Sequence, residues 1–174
     1  ALGSTIQKNH LNPDSEYFAW LGQSRGVWNV PQIKSDFVFK GAVQVSDDPL
    51  LPLERMAVGG RNTVRGYREN QLVRDNGYAA STELHIHLVG DSQTKYRFDL
   101  VPFFDFGAAW NNHDSTPIQQ TMRHIYSAGI GFQFRMYRFN SEFFWAHRLE
   151  SKSPQQHGDL QDQGIHFQAR LDAF

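Results

Sequence analysis

The stretch "HIYSAGIGFQFRM", His124 to Met136, indicates the fold class, because apolar and polar residues alternate from Tyr126 to Met136. The apolar positions, which would share one face of an extended chain, are Tyr126, Ala128, Ile130, Phe132, Phe134 and Met136. The positions between them are Ser127, Gly129, Gly131, Gln133 and Arg135. Successive side chains of a β-strand point to opposite faces of the sheet, so a period of two residues is that of a strand. The stretch therefore predicts a strand with one apolar and one polar face.

The same alternation recurs along the chain and predicts an all-β protein with eight strands. The eight segments are 4–11, 17–30, 35–45, 81–89, 96–110, 124–136, 141–148 and 164–174. The pattern is weakest in 4–11, and it leaves the inward face of 17–30 and 141–148 undecided. No segment combines a helix cap with an apolar helical stripe, so no helix is predicted.

Composition limits the class of protein. The 174 residues are enough for one domain, and a formal net charge of -1 gives no basic surface for nucleic acid. The absence of cysteine excludes a disulfide scaffold and thiolate metal sites. Aromatic residues make up 14% of the chain, yet the mean hydropathy is -0.55. No apolar run approaches the roughly 18 residues of a transmembrane helix.

The two faces of the predicted strands favour a membrane β-barrel over a soluble β-domain, which would also alternate. The polar faces carry charged residues beside glycine, as a wet lumen requires; they include Glu83, Asp105, Arg135 and Arg170. The apolar faces are wide and aromatic, like the lipid-facing bands of barrels. Strands of about ten residues suit a tilted membrane strand, and lipid requires the sheet to close. These features predict an integral protein of the bacterial outer membrane.

The connections between the strands alternate in length. The short turns are 90–95 and 137–140, and the long polar loops are 111–123 and 149–163. Outer-membrane barrels have short periplasmic turns and long external loops. The longest connection, 46–76, joins the third and fourth predicted strands. The arginine-rich stretch "GGRNTVRGYRENQLVRDNGY" at 59–78 has neither a helical nor a strand period, so it is predicted as loop.

Two motifs carry a family resemblance. The stretch "PLLPLERMAVGGRNTVRGYRENQLVRDNGYAASTEL" at 49–84 resembles the lid-loop signature of the BamA/TpsB superfamily of outer-membrane assembly and secretion proteins. Its matching residues are Gly59, Gly60, Val64, Arg65, Gly66, Tyr67, Asp75, Gly77, Glu83 and Leu84. A second signature, Phe-x-Asp-x-Gly, matches Phe103, Asp105 and Gly107. The terminal Phe174 resembles the last residue of outer-membrane proteins whose final strand is read by the assembly machinery, although it breaks the alternation of that strand.

The resemblance implies that the lid loop folds back into the barrel, where its arginine meets the aspartate of the second motif. The residues agree with this implication. Asp105 lies on the predicted polar face, where a carboxylate needs a cation, and Arg65 offers two parallel donors. Gly66 permits a turn and a close approach to the wall, and Glu83 lies on the polar face one strand away. The alternative is that Arg65 is a solvated loop residue.

The predicted strand count differs from that of the family, whose barrels have sixteen strands and follow client-binding periplasmic domains. Residues 1–174 supply eight strands and nothing that resembles such a domain. An eight-stranded barrel is filled by its own side chains and leaves no room for a folded lid. The chain is then a fragment, a small barrel with the loop outside, or half of a homodimeric sixteen-stranded pore. The homodimer is the arrangement that we predict.

The resemblance implies protein translocation across, or insertion into, the outer membrane, with a protein client. A passive or gated pore for small solutes is the alternative.

Two further patterns favour other chemistry only weakly. His85 and His87 have a spacing that suits a metal, but no third ligand is identifiable. Asn112 to Ser115 contain the residue types of a hydrolase, but they adjoin in one loop, whereas a triad needs separate supports. We therefore predict no enzyme activity, no cofactor and no metal.

Overall fold

The structure, a computed structural model, describes residues 17–90, 95–112, 122–150 and 163–172. Nine strands occur in these ranges, together with one short 3-10 turn at Pro31–Ile33. The strands are β1 (Ala19–Val30), β2 (Ser35–Ser46), β3 (Met56–Val58), β4 (Leu72–Arg74), β5 (Asn76–Val89), β6 (Tyr96–Trp110), β7 (Arg123–Met136), β8 (Phe139–Arg148) and β9 (Ile165–Leu171). No helix in the described ranges is long and apolar enough to cross a membrane.

Seven of the strands form one antiparallel sheet in the order β1-β2-β5-β6-β7-β8-β9. Each strand pairs with its neighbours in chain order, with β3 and β4 inserted between β2 and β5 as a separate hairpin. The all-β, antiparallel prediction is therefore confirmed, and seven of the eight predicted strands are present. The eighth, 4–11, lies outside the described residues. Within the part of the chain that the structure describes, β1 and β9 each have one unpaired edge.

The connection between β2 and β5 differs in two ways from the sequence prediction. Strand β5 begins at Asn76 rather than near Ser81, and the stretch predicted as loop contains β4, which pairs with β3. The first residues of β5 are mostly small, so the difference in hydrophobicity between its two faces is too weak to predict a strand there. Strands of three residues such as β3 have no readable period, and this hairpin forms where the loop packs against the sheet. The segment 47–75 is called the lid from here on.

The burial of the sheet is the inverse of that in a water-soluble β-protein. The face that carries large apolar side chains is exposed: Trp28 is 53% and Phe167 69% exposed. Others on this face are Trp20, Phe37, Phe104, Ile130, Phe132, Phe143 and Trp145. The opposite face carries the buried polar residues Gln44, Ser81, Glu83, Asp99, Asp105, Ser127 and His166. Exposed apolar side chains on one face and buried polar side chains on the other are the pattern typical of transmembrane barrel strands.

The main apolar core lies between the lid and the polar face of the sheet. The lid contributes Met56, Val58, Val64, Tyr67 and Leu72, and the sheet contributes Ala79, Ala109 and Ile125. Small wall residues such as Ala79 leave room for the larger lid side chains. The lid therefore supplies most of this apolar core, and its removal would expose the polar face to water.

Candidate functional site

Arg65 and Asp105 form a two-armed ion pair between the lid and β6. Nε of Arg65 donates to Oδ2 of Asp105 at 2.8 Å, and Nη2 donates to Oδ1 at 2.7 Å. The backbone N–H of Arg65 donates to the same carboxylate at 3.0 Å. Asp105 is fully buried and Arg65 is 4% exposed. A buried carboxylate needs a cation and hydrogen-bond donors, and the planar guanidinium supplies both in one geometry.

Glu83 on β5 is the second carboxylate that contacts this guanidinium. Nη1 of Arg65 lies 2.9 Å from Oε1 of Glu83, and Nη2 donates to the Ser81 hydroxyl at 2.9 Å. Glu83 also accepts a hydrogen bond from Lys40 Nζ at 2.9 Å, and its other oxygen lies 2.8 Å from His85 Nε2. The site is thus a network across β2, β5 and β6 in which both carboxylates have cationic partners.

Two aromatic rings enclose the guanidinium of Arg65. Its Cζ atom lies 3.6 Å from the ring centroid of Phe103 and 4.8 Å from that of Phe144. The two rings meet edge to face with centroids 5.7 Å apart. Burial opposes the charge of Arg65, but hydrogen bonds and charge from Asp105 and Glu83 outweigh burial and raise its pKa. The arginine is therefore held as a permanent cation on an apolar and aromatic support.

Two glycines let the lid approach the wall. Gly66 has a φ of +87°, which is in the left-handed region, and a Cβ there would lie 3.1 Å from Cβ of Ala146. Gly107 lies on β6 below the lid, and a Cβ there would be 2.6 Å from Val58 Cγ1 and 3.1 Å from Val64 Cγ2. Each motif thus supplies a glycine at a point where the lid touches the sheet.

A tight turn presents Arg65 to the wall. The N–H of Gly60 donates to the carbonyl of Val64 at 3.1 Å, and the N–H of Thr63 donates back to Gly60 at 3.3 Å. The N–H of Gly59 donates to the Thr63 hydroxyl at 2.8 Å. Val64 is fully buried beside the turn. Gly59 and Gly60 therefore shape the turn, and Val64 anchors it.

Tyr67 and Asp75 fix the rest of the lid. Tyr67 is fully buried, its hydroxyl donates to the carbonyl of Tyr126 on β7 at 3.0 Å, and burial is the main cause that raises its pKa. Asp75 Oδ1 accepts from the N–H of Leu50 at 3.0 Å and lies 3.2 Å from Arg55 Nε. The carboxylate of Asp75 therefore ties the two ends of the lid together. Gly77 follows as the second residue of β5.

The two histidines that were considered for a metal contact carboxylates of the wall. His85 contacts Glu83, while His87 Nδ1 lies 3.0 Å from Asp99 Oδ1 and its Nε2 lies 3.3 Å from Asp36 Oδ2. Among the described residues, no group of three or more His, Asp or Glu side chains is arranged to hold a metal ion.

The hydrolase pattern has one described member, Asn112, and its side chain is hydrogen-bonded to residues at or next to the ends of the lid. Nδ2 of Asn112 donates to the carbonyls of Ser46 at 2.7 Å and Asp48 at 3.0 Å. Its Oδ1 accepts from Asn76 at 2.5 Å. The other members, 113–115, lie outside the described residues, as does Phe174.

Three contacts of the lid were missed by sequence reasoning, and they involve β8 and β9. Arg61 Nη2 lies 2.5 Å from Glu142 Oε2, and Gly66 contacts both Arg148 and His166. The inward face of 141–148 was undecided from the sequence, so Glu142 and Arg148 were not assigned to either face. Assigning Glu142 and Arg148 to the polar face would have suggested them as partners for the lid.

The structure is an all-β antiparallel sheet with the lid packed on its polar face. Over residues 3–134 the chain matches the family model of the haemolysin secretion/activation protein ShlB/FhaC/HecB. Because this match covers more than half of the 174 residues, the chain belongs to that family, and the resemblance to the BamA/TpsB superfamily is confirmed. The family is one of secretion and activation proteins rather than of hydrolases. The comparison with curated proteins gives no match.

Proposed function

We propose that this protein is an outer-membrane β-barrel that translocates a protein client, and that the lid is a gate docked inside the lumen. The observation that carries the proposal is the buried two-armed pair between Arg65 and Asp105, with bonds of 2.7 and 2.8 Å. Each residue comes from one of the two family motifs. The pair fastens the lid to the wall at the centre of its contacts.

The location in the membrane is supported by the exposed apolar face of the sheet. Within the part of the chain that the structure describes, side chains such as Trp28 and Phe167 are mostly exposed, and lipid would cover them. Unpaired backbone groups are costly in lipid, so the open edges of β1 and β9 need further strands. A second copy of the chain, related by a two-fold axis, is the arrangement that we propose for completing the barrel.

Gating follows from the energetics of the docked lid. Separating Arg65 from Asp105 without a replacement breaks a buried ion pair, and loss of one partner of such a pair costs about 3–5 kcal/mol. A polypeptide client offers alternative hydrogen-bond partners to both groups as it enters. The lid would therefore stay docked in the resting pore and move when a client arrives.

A gated solute pore is supported by a different feature. Beside the lid, towards β1 and β2, lies a cavity of about 380 Å³ whose lining includes Gln23, Arg25, Lys40 and Asn62. This space would admit water and small solutes while the lid remains docked. The two functions share the lid and differ in what crosses the membrane.

The deciding experiment compares the secreted polypeptides of cells that carry or lack the gene. The translocation proposal expects at least one polypeptide to disappear from the medium without the gene and to return with the wild-type gene. It also expects that polypeptide to crosslink to a photoreactive residue at position 23. An unchanged medium, together with stable conductance of the purified protein in planar bilayers, would instead establish the solute pore.

A further inference from the structure

Gly66 at the tip of the lid is held by both of its backbone polar groups. Its N–H donates to Nε2 of His166 on β9 at 3.3 Å. Its carbonyl accepts from Nε of Arg148 on β8. A Cβ at this position would lie 3.1 Å from Ala146, so the backbone itself rests on the wall. One residue of the lid is thus clamped between two neighbouring strands.

Arg148 makes a second contact with the lid. Its Cζ lies 5.4 Å from the ring centroid of Tyr67, the fully buried residue that follows Gly66. The clamp lies on β8 and β9, whereas Asp105 and Glu83 lie on β6 and β5. The lid is therefore attached to the sheet at two separate places, and the second place includes an edge strand of the described sheet.

We propose that Arg148 and His166 are positioning residues of the lid, and that His166 holds the lid only in its neutral form. This inference rests on the proposed function, because it takes the docked lid as the resting gate. The clamp adds a second, pH-dependent attachment of the lid beside the pair between Arg65 and Asp105, and acid weakens this attachment.

The chemistry of imidazole determines the direction of the effect. A ring nitrogen accepts a hydrogen bond only when it carries no proton. Protonated His166 would point one N–H at the N–H of Gly66, and the contact would become repulsive. Since only the released lid tolerates the protonated ring, lowering the pH through the ordinary histidine range favours release.

The surroundings of His166 contain charges of both signs. The charged groups that act on it are Glu69, Arg61 and Arg65 of the lid and Asp105 of β6, and Arg148 of β8 contacts the same Gly66. The acidic groups favour a protonated ring and the arginines oppose it. The hydrogen bond from Gly66 adds to the arginines, so the docked lid selects the neutral form.

The family match covers residues 3–134, so Gly66 lies within it and Arg148 and His166 lie beyond it. The roles of Arg148 and His166 are argued from their own contacts with the lid.

Hydrogen–deuterium exchange of the lid in detergent tests the proposal. The full protein is labelled at pH 7.5 and pH 5.5, with labelling times scaled for the intrinsic exchange rate, and the peptide spanning 61–72 is followed by mass spectrometry. An ordinary histidine pKa of about 6.5 for the ring in the released lid would make exchange through lid release about tenfold faster at pH 5.5 than at pH 7.5. His166→Gln keeps an acceptor at every pH and should abolish this difference.

Two further variants separate positioning from general stability. Arg148→Met removes the donor to Gly66 and should speed lid exchange at both pH values while leaving the pH difference in place. His147→Gln is the matched control, because His147 lies on the exposed face of β8, and it should behave like the wild type.

The outcomes distinguish this inference from the proposed gate. Asp105→Asn should release the lid at both pH values if the lid is docked as a gate. If it does so while the wild-type lid shows no pH difference, or His166→Gln keeps the difference, the clamp proposal is overturned and the gate stands. A wild-type lid that exchanges freely at pH 7.5 would overturn both.

Discussion

Asp105 on β6 and Arg65 in the lid lie forty positions apart in sequence and join through hydrogen bonds of 2.7 and 2.8 Å. This pair explains how an apolar core can form against the polar face of the sheet. The lid brings its own apolar residues to the wall and neutralises the buried carboxylate at the same time. The lid is therefore a structural element as well as the proposed gate, and its release is linked to the stability of the fold.

Mutation of the pair should give strongly non-additive losses. Removing one partner leaves the other charge buried, so Arg65→Ala and Asp105→Ala should each destabilise the docked lid by about 3–5 kcal/mol. The double variant should cost much less than the sum, and Arg65→Lys should rescue only in part because a point charge cannot form both arms. Urea unfolding in lipid vesicles measures each value.

A matched control for this cycle is Arg74→Ala. Arg74 is a lid arginine that donates to the neighbouring carbonyl of Val73, and its loss should change stability by no more than about 0.5 kcal/mol. Additive losses from the Arg65 and Asp105 variants would show that the two side chains are not coupled in solution.

A methyl group at Gly107 should force the lid away from β6. The added Cβ would lie 2.6 Å from Val58 Cγ1, so we expect Gly107→Ala to destabilise the docked lid by about 1–3 kcal/mol. Gly41→Ala is the control, because its Cβ would meet only side-chain atoms at 3.0 Å or more. Trypsin cleavage at the lid arginines reports docking, and equal cleavage of both variants would contradict the packing argument.

The sequence could predict the sheet because alternation is a local signal. The contrast between the two faces of β7, such as Ile130 against Gly131, persists whatever surrounds the strand. The partner of Asp105 could be expected only through the family motif, since a separation of forty positions carries no local signal of the contact. Chain topology determines which strands meet the lid, and periodicity does not encode it.

The inward face of β8 shows why other parts of the site could not be predicted. Phe143, Phe144 and Trp145 are three large aromatic residues in a row, so hydrophobicity does not distinguish one face from the other. In the structure Phe144 is 4% exposed beside Arg65, whereas Trp145 is 48% exposed. A guanidinium can use an aromatic ring as its support, so an apolar residue on the polar face is compatible with the site.

The hydroxyl of Tyr67 should make lid docking sensitive to alkali. Burial raises the pKa of Tyr67, so the folded state keeps its proton longer than the unfolded state. The resulting stability is fully present below pH 10 or so and is lost as the pH rises through the raised pKa. Tyr67→Phe should cost about 0.5–1.5 kcal/mol at neutral pH and remove this part of the alkaline loss.

The pH dependence of Tyr67 can be isolated by difference. Exchange of the lid peptide is measured between pH 8 and pH 12 for the wild type and for Tyr67→Phe, since other groups titrate equally in both proteins. Identical alkaline profiles would mean that the phenol is accessible to water in the docked lid, contrary to its full burial.

Membrane location predicts the behaviour of the purified protein. The exposed aromatic face should require detergent for solubility, and the folded barrel should migrate faster than the heated protein in gel electrophoresis. Trp28→Glu places a charge on this face and should impair insertion into vesicles. Arg25→Glu lies on the opposite, polar face of the same strand and should not impair it. A protein that stays monodisperse and folded without detergent would contradict the membrane assignment.

The last prediction concerns the assembly. If two copies complete one barrel, the free edge of β9 in one copy must pair with the first predicted strand, 4–11, of the other, and symmetry repeats the seam. Two copies with different affinity tags should then co-purify in detergent at twice the 20.0 kDa of one chain. The chain has no native cysteine, so single cysteines placed in 4–11 and in β9 should form a disulfide only when the two variants are mixed. The same two cysteines combined in one chain and closing only within it would establish a self-closed barrel. The lumen would then be too narrow for the lid, and the contacts of Arg65 would have to be absent from the membrane form.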